Sequence, residues 1–133
     1  MAITMNEIAV VCAVICEDHK VLIAQRISKV ANGMWEFPGG KVEQNETREA
    51  ACIREIQEEL NVTIQIDRFL CDVIDTAFVP HVHVFAYQAH IIEGEIVLNN
   101  HSQSKWIDPK DVFHYPFQEA DIKIKDYIQT IKI

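Results

Sequence analysis

Five glutamates fall between positions 46 and 59, and Glu55, Glu58 and Glu59 stand at i, i+3 and i+4. On a helix this spacing gathers the three carboxylates within an arc of roughly 100°. Like charges so placed repel, each pair costing about a few tenths of a kcal/mol. Carboxylate oxygens are hard donors, and Mg²⁺ or Mn²⁺ bound among them would remove the repulsion. The competing reading is a solvated acidic face with ordinary ion pairs, Arg54 to Glu58 at i, i+4 among them. Pro38-Gly39-Gly40, just upstream, favours a site. Adjacent glycines let the backbone approach a ligand and offer a carbonyl to a metal.

These residues need a scaffold, and the pattern predicts one. Thr47 suits a helix N-cap, Ala50, Ile53, Ile56 and Leu60 recur at helical spacing, and Asn61 suits a left-handed terminal residue. Ile8 to Cys16 is a nearly continuous apolar run, predicted to be a strand buried on both faces. A polar turn, Glu17-Asp18-His19-Lys20, leads to a second strand, Val21 to Arg26, making a hairpin. Residues 27–35, with Asn32-Gly33, read as a loop. Further strands are expected at VTIQI (62–66), FLCDVI (69–74), HVHVFAYQAHII (81–92) and SKWI (104–107). Pro109 to Phe113 suits one helical turn, and Glu119 to Ile131 a closing helix with Ile122, Tyr127, Ile128 and Ile131 near one face. Strands, helix, strands, helix suggest an α/β (α+β) fold with a mixed sheet between helices.

Length and composition set limits. The 133 residues suit one domain, 1–133, and the 49% hydrophobic content argues against disorder. The net charge of −8 argues against nucleic-acid polymers or anionic membranes as partners. A phosphate substrate remains compatible if a divalent cation stands between the two sets of negative charge. Cys12, Cys16, Cys52 and Cys71 form no CxxC pair and read as free thiols of a reducing compartment. There is no membrane-length apolar run and no leader pattern at the N-terminus, so a cytoplasmic location is expected. His81 and His83 share one side of a strand but lack a third ligand, and read as structural.

Gly40, five residues, Glu46, seven residues, then Arg54-Glu55-Ile56-Gln57-Glu58-Glu59 resembles the signature box of Nudix hydrolases, G-x5-E-x7-R-E-U-x-E-E-x-G-U. Ile56 and Val62 fill the aliphatic positions, and Asn61 stands where the box has glycine. Ile23 to Arg26, Trp35 to Lys41, Trp106, Tyr115-Pro116 and Ala120-Asp121-Ile122 resemble the MutT-like subgroup. The resemblance implies a Nudix-type α/β/α sandwich and a Mg²⁺-dependent pyrophosphohydrolase, Mn²⁺ being able to substitute. The enzyme would release a nucleoside monophosphate and pyrophosphate. Implied substrates are oxidised dNTPs such as 8-oxo-dGTP, or CTP and other pyrimidine nucleotides.

By the same resemblance, Glu55, Glu58 and Glu59 bind metal with a carbonyl of Gly39 or Gly40. Glu55 or Glu58 accepts the attacking water's proton, Glu55 being preferred, and Arg54 orients the carboxylates. Arg26, Glu36, Phe37, Pro38, Phe78 and Asp121 face the substrate. Phe37 and Phe78 would wall the base unless they simply pack the core, and Asp121 would read the base edge unless it serves only as a helix N-terminal charge. Some relatives place a carboxylate before a His upstream of the Trp. Here Asn100 precedes His101, which is expected in a surface loop. A monomer or homodimer is expected. Alternatives are a nucleotide-sensing Nudix domain without turnover, a hydrolase of another nucleoside-diphosphate-linked substrate, and an acidic interaction domain. The last leaves Pro38-Gly39-Gly40 and the box spacing unexplained.

Overall fold

The computed structural model describes residues 7–27, 33–77 and 79–133. Strand β1 (Ile8–Glu17) is its axis. One edge of β1 pairs in parallel along its length with β6 (Val82–Glu93). The other edge is shared: Val10 to Cys12 pair with β4 (Gly39–Lys41), and Cys16 and Glu17 with β2 (Lys20–Arg26). Asp18 and His19 make this tight turn at φ 50° and 64°. Polar residues with short side chains tolerate that region best, which suits Asp18. Beyond the turn β2 leaves β1 and pairs with β3 (Trp35–Glu36) and β7 (His101–Ile107). Strand β5 (Thr63–Asp75) closes the far edge against β6.

Alternation along β1 builds two cores. Val11, Ala13 and Ile15 point to one face, where Ala51, Cys52, Ile56 and Leu60 of helix α1 (Arg48–Leu60) cover them. Cys12 and Val14 point to the other, under Phe117 and under Ile124 and Ile128 of helix α2 (Glu119–Ile128). Ile15, Ile56 and Ile124 are fully buried, each contributing about 1.5–3 kcal/mol. The result is the expected sandwich, a mixed sheet between helices.

Local expectations hold at both ends of α1. The Thr47 side chain accepts from the Ala50 amide at 3.1 Å, and Asn61 caps the far end at φ 61°. Elsewhere boundaries differ. The segments expected as separate strands at 62–66 and 69–74 form one strand, β5, which absorbs the polar Asp67-Arg68 in register shifts. β7 begins at His101, three residues before the expected start, because it pairs with β2 over that stretch. The 3-10 turn runs Pro109–His114, and α2 ends at Ile128. β3 and β4, inside the Trp35–Lys41 stretch, are too short for periodicity to reveal. His83 is structural, held between Glu7 at 2.9 Å and Asp72 at 2.6 Å.

Candidate active site

The sheet splays where β2 leaves β1, and a cleft of about 580 Å³ opens there. Val10, Cys12, Val82 and Val84 line it from β1 and β6, and the last two turns of α1 bring Glu55, Glu58 and Glu59 to it. β4 lies directly beneath the acids. A Cβ built on Gly40 would overlap the Glu55 carboxylate, so only glycine lets strand and acid approach this closely.

Arg54 holds the acids from behind. Its guanidinium grips Glu46 with two bonds, Nε to Oε2 at 2.7 Å and Nη2 to Oε1 at 2.9 Å. Nη1 donates to Glu55 Oε1 at 2.9 Å and to Glu58 at 3.3 Å, and Nη2 to the Lys41 carbonyl at 3.0 Å. The Arg54 bond holds the Glu46 carboxyl down at about 2, helped by the Glu43 amide. One planar fork thereby ties the approach loop, β4 and the acidic face of α1 together.

Glu59 has a different setting. It is buried, and burial pushes its carboxyl up to about 7; His101 opposes this, while Glu36 and Glu55 add to it. His101 is not the surface-loop residue expected: it is 6% exposed and opens β7. Pairing of β7 with the end of β2 turns it inward, its Nε2 lying 2.8 Å from Glu36 and 3.6 Å from Glu59. These three side chains could reach one metal ion, their nearest ligand atoms being within 4.8 Å. The imidazole argues against its being a ligand. A metal-bound histidine almost always donates its second ring N–H to an acceptor, and His101 Nδ1 is buried with no partner among the described residues. His101 therefore serves as a donor through Nε2 to Glu36. Glu55, Glu58 and Glu59 line the same cleft as Gly39 and Gly40, and their hard oxygens could hold a divalent ion.

The opposite wall comes from β3 and α2. The Trp35 amide donates to Pro116 at 2.8 Å, which sets the entry to α2 beside β3. Asp121, in the first turn of α2, then accepts from the Phe37 amide at 3.4 Å. Burial pushes the Asp121 carboxyl up to about 8, Glu36 adding to the rise and the Phe37 amide and Arg26 opposing it. Arg26 pairs with Glu36 at 3.4 Å, and Gln118, its amide oxygen turned to Arg26, accepts from Nη1 at 2.8 Å.

Of the residues singled out in the sequence, the cleft brings together Arg26, Glu36, Phe37, Gly39, Gly40, Glu55, Glu58, Glu59 and Asp121. Two do not line it in the expected way. The Phe37 ring is 2% exposed and packs on Phe117 at 5.4 Å, so mainly its backbone serves the site. Pro38 is buried away from the cleft, its carbonyl accepting from Ala13. Arg54 stands behind the acids. Phe78 lies outside the described residues. Gln118 and Asp75 also line the cleft; neither lies in a spacing pattern that could have marked it.

A family model, the NUDIX domain, matches residues 5–128. The chain is 30% identical over 129 residues to a CTP pyrophosphohydrolase of Escherichia coli, covering 96% of each protein. It is 46% identical over 73 residues to an 8-oxo-dGTP diphosphatase of Proteus vulgaris, covering 53% of this chain and 62% of that one. A MutT NUDIX hydrolase of Burkholderia pseudomallei superposes with a TM-score of 0.82 at 29% identity, covering 92% of this chain and 98% of that one.

Proposed function

Since this chain belongs to the NUDIX family, we propose that it is a Mg²⁺-dependent nucleoside triphosphate pyrophosphohydrolase of the MutT-like kind, releasing a nucleoside monophosphate and pyrophosphate. The observation that carries the reading is the convergence of Glu55, Glu58 and Glu59 on a single cleft, with Gly40 packed against Glu55. In this chain of net charge −8, such a cleft accepts a polyphosphate only with divalent cations between the charges. Mg²⁺ held by those glutamates and a carbonyl of Gly39 or Gly40 would neutralise phosphate charge and acidify water.

The chain's own groups do the rest. Arg54 fixes one oxygen of Glu55, leaving Oε2 beside Gly40. Glu55 accepts the proton as water oxygen bonds to phosphorus, and the α–β anhydride bond breaks with its electron pair on the departing oxygen. Arg26 offers a cation on the opposite wall. Asp121, protonated near neutral pH, both donates to and accepts from a base edge. An 8-oxo-dGTP-like oxidised dNTP or a cytosine nucleotide satisfies that pairing, and these are the substrates named for the two relatives. The proposed enzyme is cytoplasmic, a monomer or homodimer; no helix among the described residues is long and apolar enough to cross a membrane.

The test is pyrophosphate release from a nucleotide panel with Mg²⁺. Release from CTP or 8-oxo-dGTP, abolished by EDTA and lowered about 100-fold or more in Glu55→Gln, is expected. Hydrolysis indifferent to EDTA would overturn the mechanism. Nucleotide binding without turnover would turn the reading to a sensor.

A further inference from the structure

Helix geometry leaves the last four carbonyls of α1 without intrahelical partners. All four are satisfied, three of them by one distant loop. The Gln57 carbonyl accepts from the Asn61 amide at 3.0 Å. The Glu58 carbonyl accepts from Asn99 Nδ2 at 2.6 Å, the Glu59 carbonyl from the Asn99 amide at 3.1 Å, and the Leu60 carbonyl from the Val97 amide at 3.0 Å. Asn61 closes the contact from the helix side, its Nδ2 donating to the Val97 carbonyl at 2.8 Å. Both asparagines face carbonyls, which only accept, so each must present its NH₂ group. Gly94 begins the loop at φ 95°, where a Cβ would lie 2.9 Å from the Asn61 carbonyl.

Two features give this cap a functional meaning. The carbonyls bonded by Asn99 belong to Glu58 and Glu59 themselves. The loop then runs directly into His101, whose side chain meets Glu36 and faces Glu59. Helix ends fray unless held, and the Glu58 side chain is 58% exposed with its nearest arginine contact at 3.3 Å. The position of Glu58 therefore depends on its backbone. Asn61 stands where the Nudix box has glycine. Glycine would keep the left-handed cap but could not make the bond to Val97.

We propose that Asn99 and Asn61 are positioning residues for the metal-binding carboxylates, residues 94–100 forming a clamp that holds Glu58, Glu59 and His101 in one register. The proposal rests on the metal-dependent reading above. Neither asparagine lines the cleft; both act through the last turn of α1.

The test uses Asn99→Ala, Asn61→Gly and the double variant. Asn61→Gly retains the cap conformation, so it tests the side-chain bond with the fold preserved. Mn²⁺ affinity is measured on nucleotide-free protein by electron paramagnetic resonance, alongside kcat, KM and the Mg²⁺ concentration for half-maximal rate. Each single variant should weaken Mn²⁺ binding about fivefold and raise the half-saturating Mg²⁺ similarly, while the nucleotide KM at saturating Mg²⁺ changes less than twofold. Because both bonds act through one loop, the double variant should cost less than the product of the single effects. A lower melting temperature with unchanged Mn²⁺ affinity and Mg²⁺ dependence in all three would reduce the clamp to a structural cap and overturn the proposal. A wild type that neither binds Mn²⁺ nor hydrolyses nucleotides would instead overturn the function on which it rests.

Discussion

Arg54 and Asp121 show two opposite treatments of charge beside one cleft. Arg54 meets Glu46 as a planar fork, a geometry lysine cannot reproduce. Arg54→Lys should therefore keep the charge but lower kcat about tenfold, with a smaller change in KM, in steady-state assays at saturating Mg²⁺. The Glu46 carboxyl, held at about 2 by this bond, contributes stability above its usual 4.5 that is lost as pH falls through 2. Urea unfolding from pH 5 to pH 2 should accordingly fall less steeply in Glu46→Gln than in wild type. Asp121 has the reverse sign. Its carboxyl, raised to about 8 by burial, contributes stability that is complete below its usual value near 4 and fades as pH rises toward 8. Asp121→Asn removes that dependence, so its stability relative to wild type should be higher at pH 8 than at pH 5. Equal differences at the two pH values would show that Asp121 is ionised in the folded state. The same substitution should change the ranking of cytosine against oxidised-guanine substrates.

At the level of elements, α1 separates folding from chemistry. Thr47→Ala should cost about 1 kcal/mol in urea unfolding and leave kcat at saturating Mg²⁺ unchanged, since the cap lies two turns from Glu55. Gly40→Ala should do the reverse, displacing the Glu55 carboxylate and lowering kcat with a smaller loss of stability. If the two variants showed the same ratio of lost activity to lost stability, α1 would be only a stabilising element. Both ends of this helix were legible because they depend on local rules: a hydroxyl bonded three residues on, a left-handed asparagine, apolar spacing of three and four. β1 was legible for the same reason, its apolar run reporting burial on both faces. What could not be read is non-local. β5 continues through Asp67-Arg68 because β6 pairs with it there. β7 starts at His101 because β2 pairs with it there, and this turns a supposed loop histidine into a buried partner of Glu36. The acids of the box were visible as a spacing, whereas Gln118 and Asp75 reach the cleft only through the packing of other elements.

The whole molecule carries a net charge of −8, and one cleft gathers the carboxyl groups of Glu36, Glu55, Glu58, Glu59, Asp75 and Asp121 around Arg26, Lys41 and His101. Two different effects of added ions follow. Any salt screens the general repulsion of the surface, with a range of about 10 Å at 0.1 M. Only an ion bound in the cleft adds stability by mass action, about 2.7 kcal/mol at a concentration 100 times its dissociation constant. For a domain of this size that corresponds to a rise in melting temperature of roughly 10 °C. The two effects separate at matched ionic strength. Mg²⁺ or Mn²⁺ should raise the melting temperature of wild type well beyond the effect of NaCl, with a midpoint that tracks the half-saturating concentration in the hydrolysis assay. Glu58→Gln should lose most of that excess while responding to NaCl as wild type does, because removing one carboxylate barely alters the surface field but removes a hard donor from the site. An identical response of wild type and Glu58→Gln to divalent ions would mean that the ions act by screening, and that the carboxylates of α1 form an acidic face instead of a metal site.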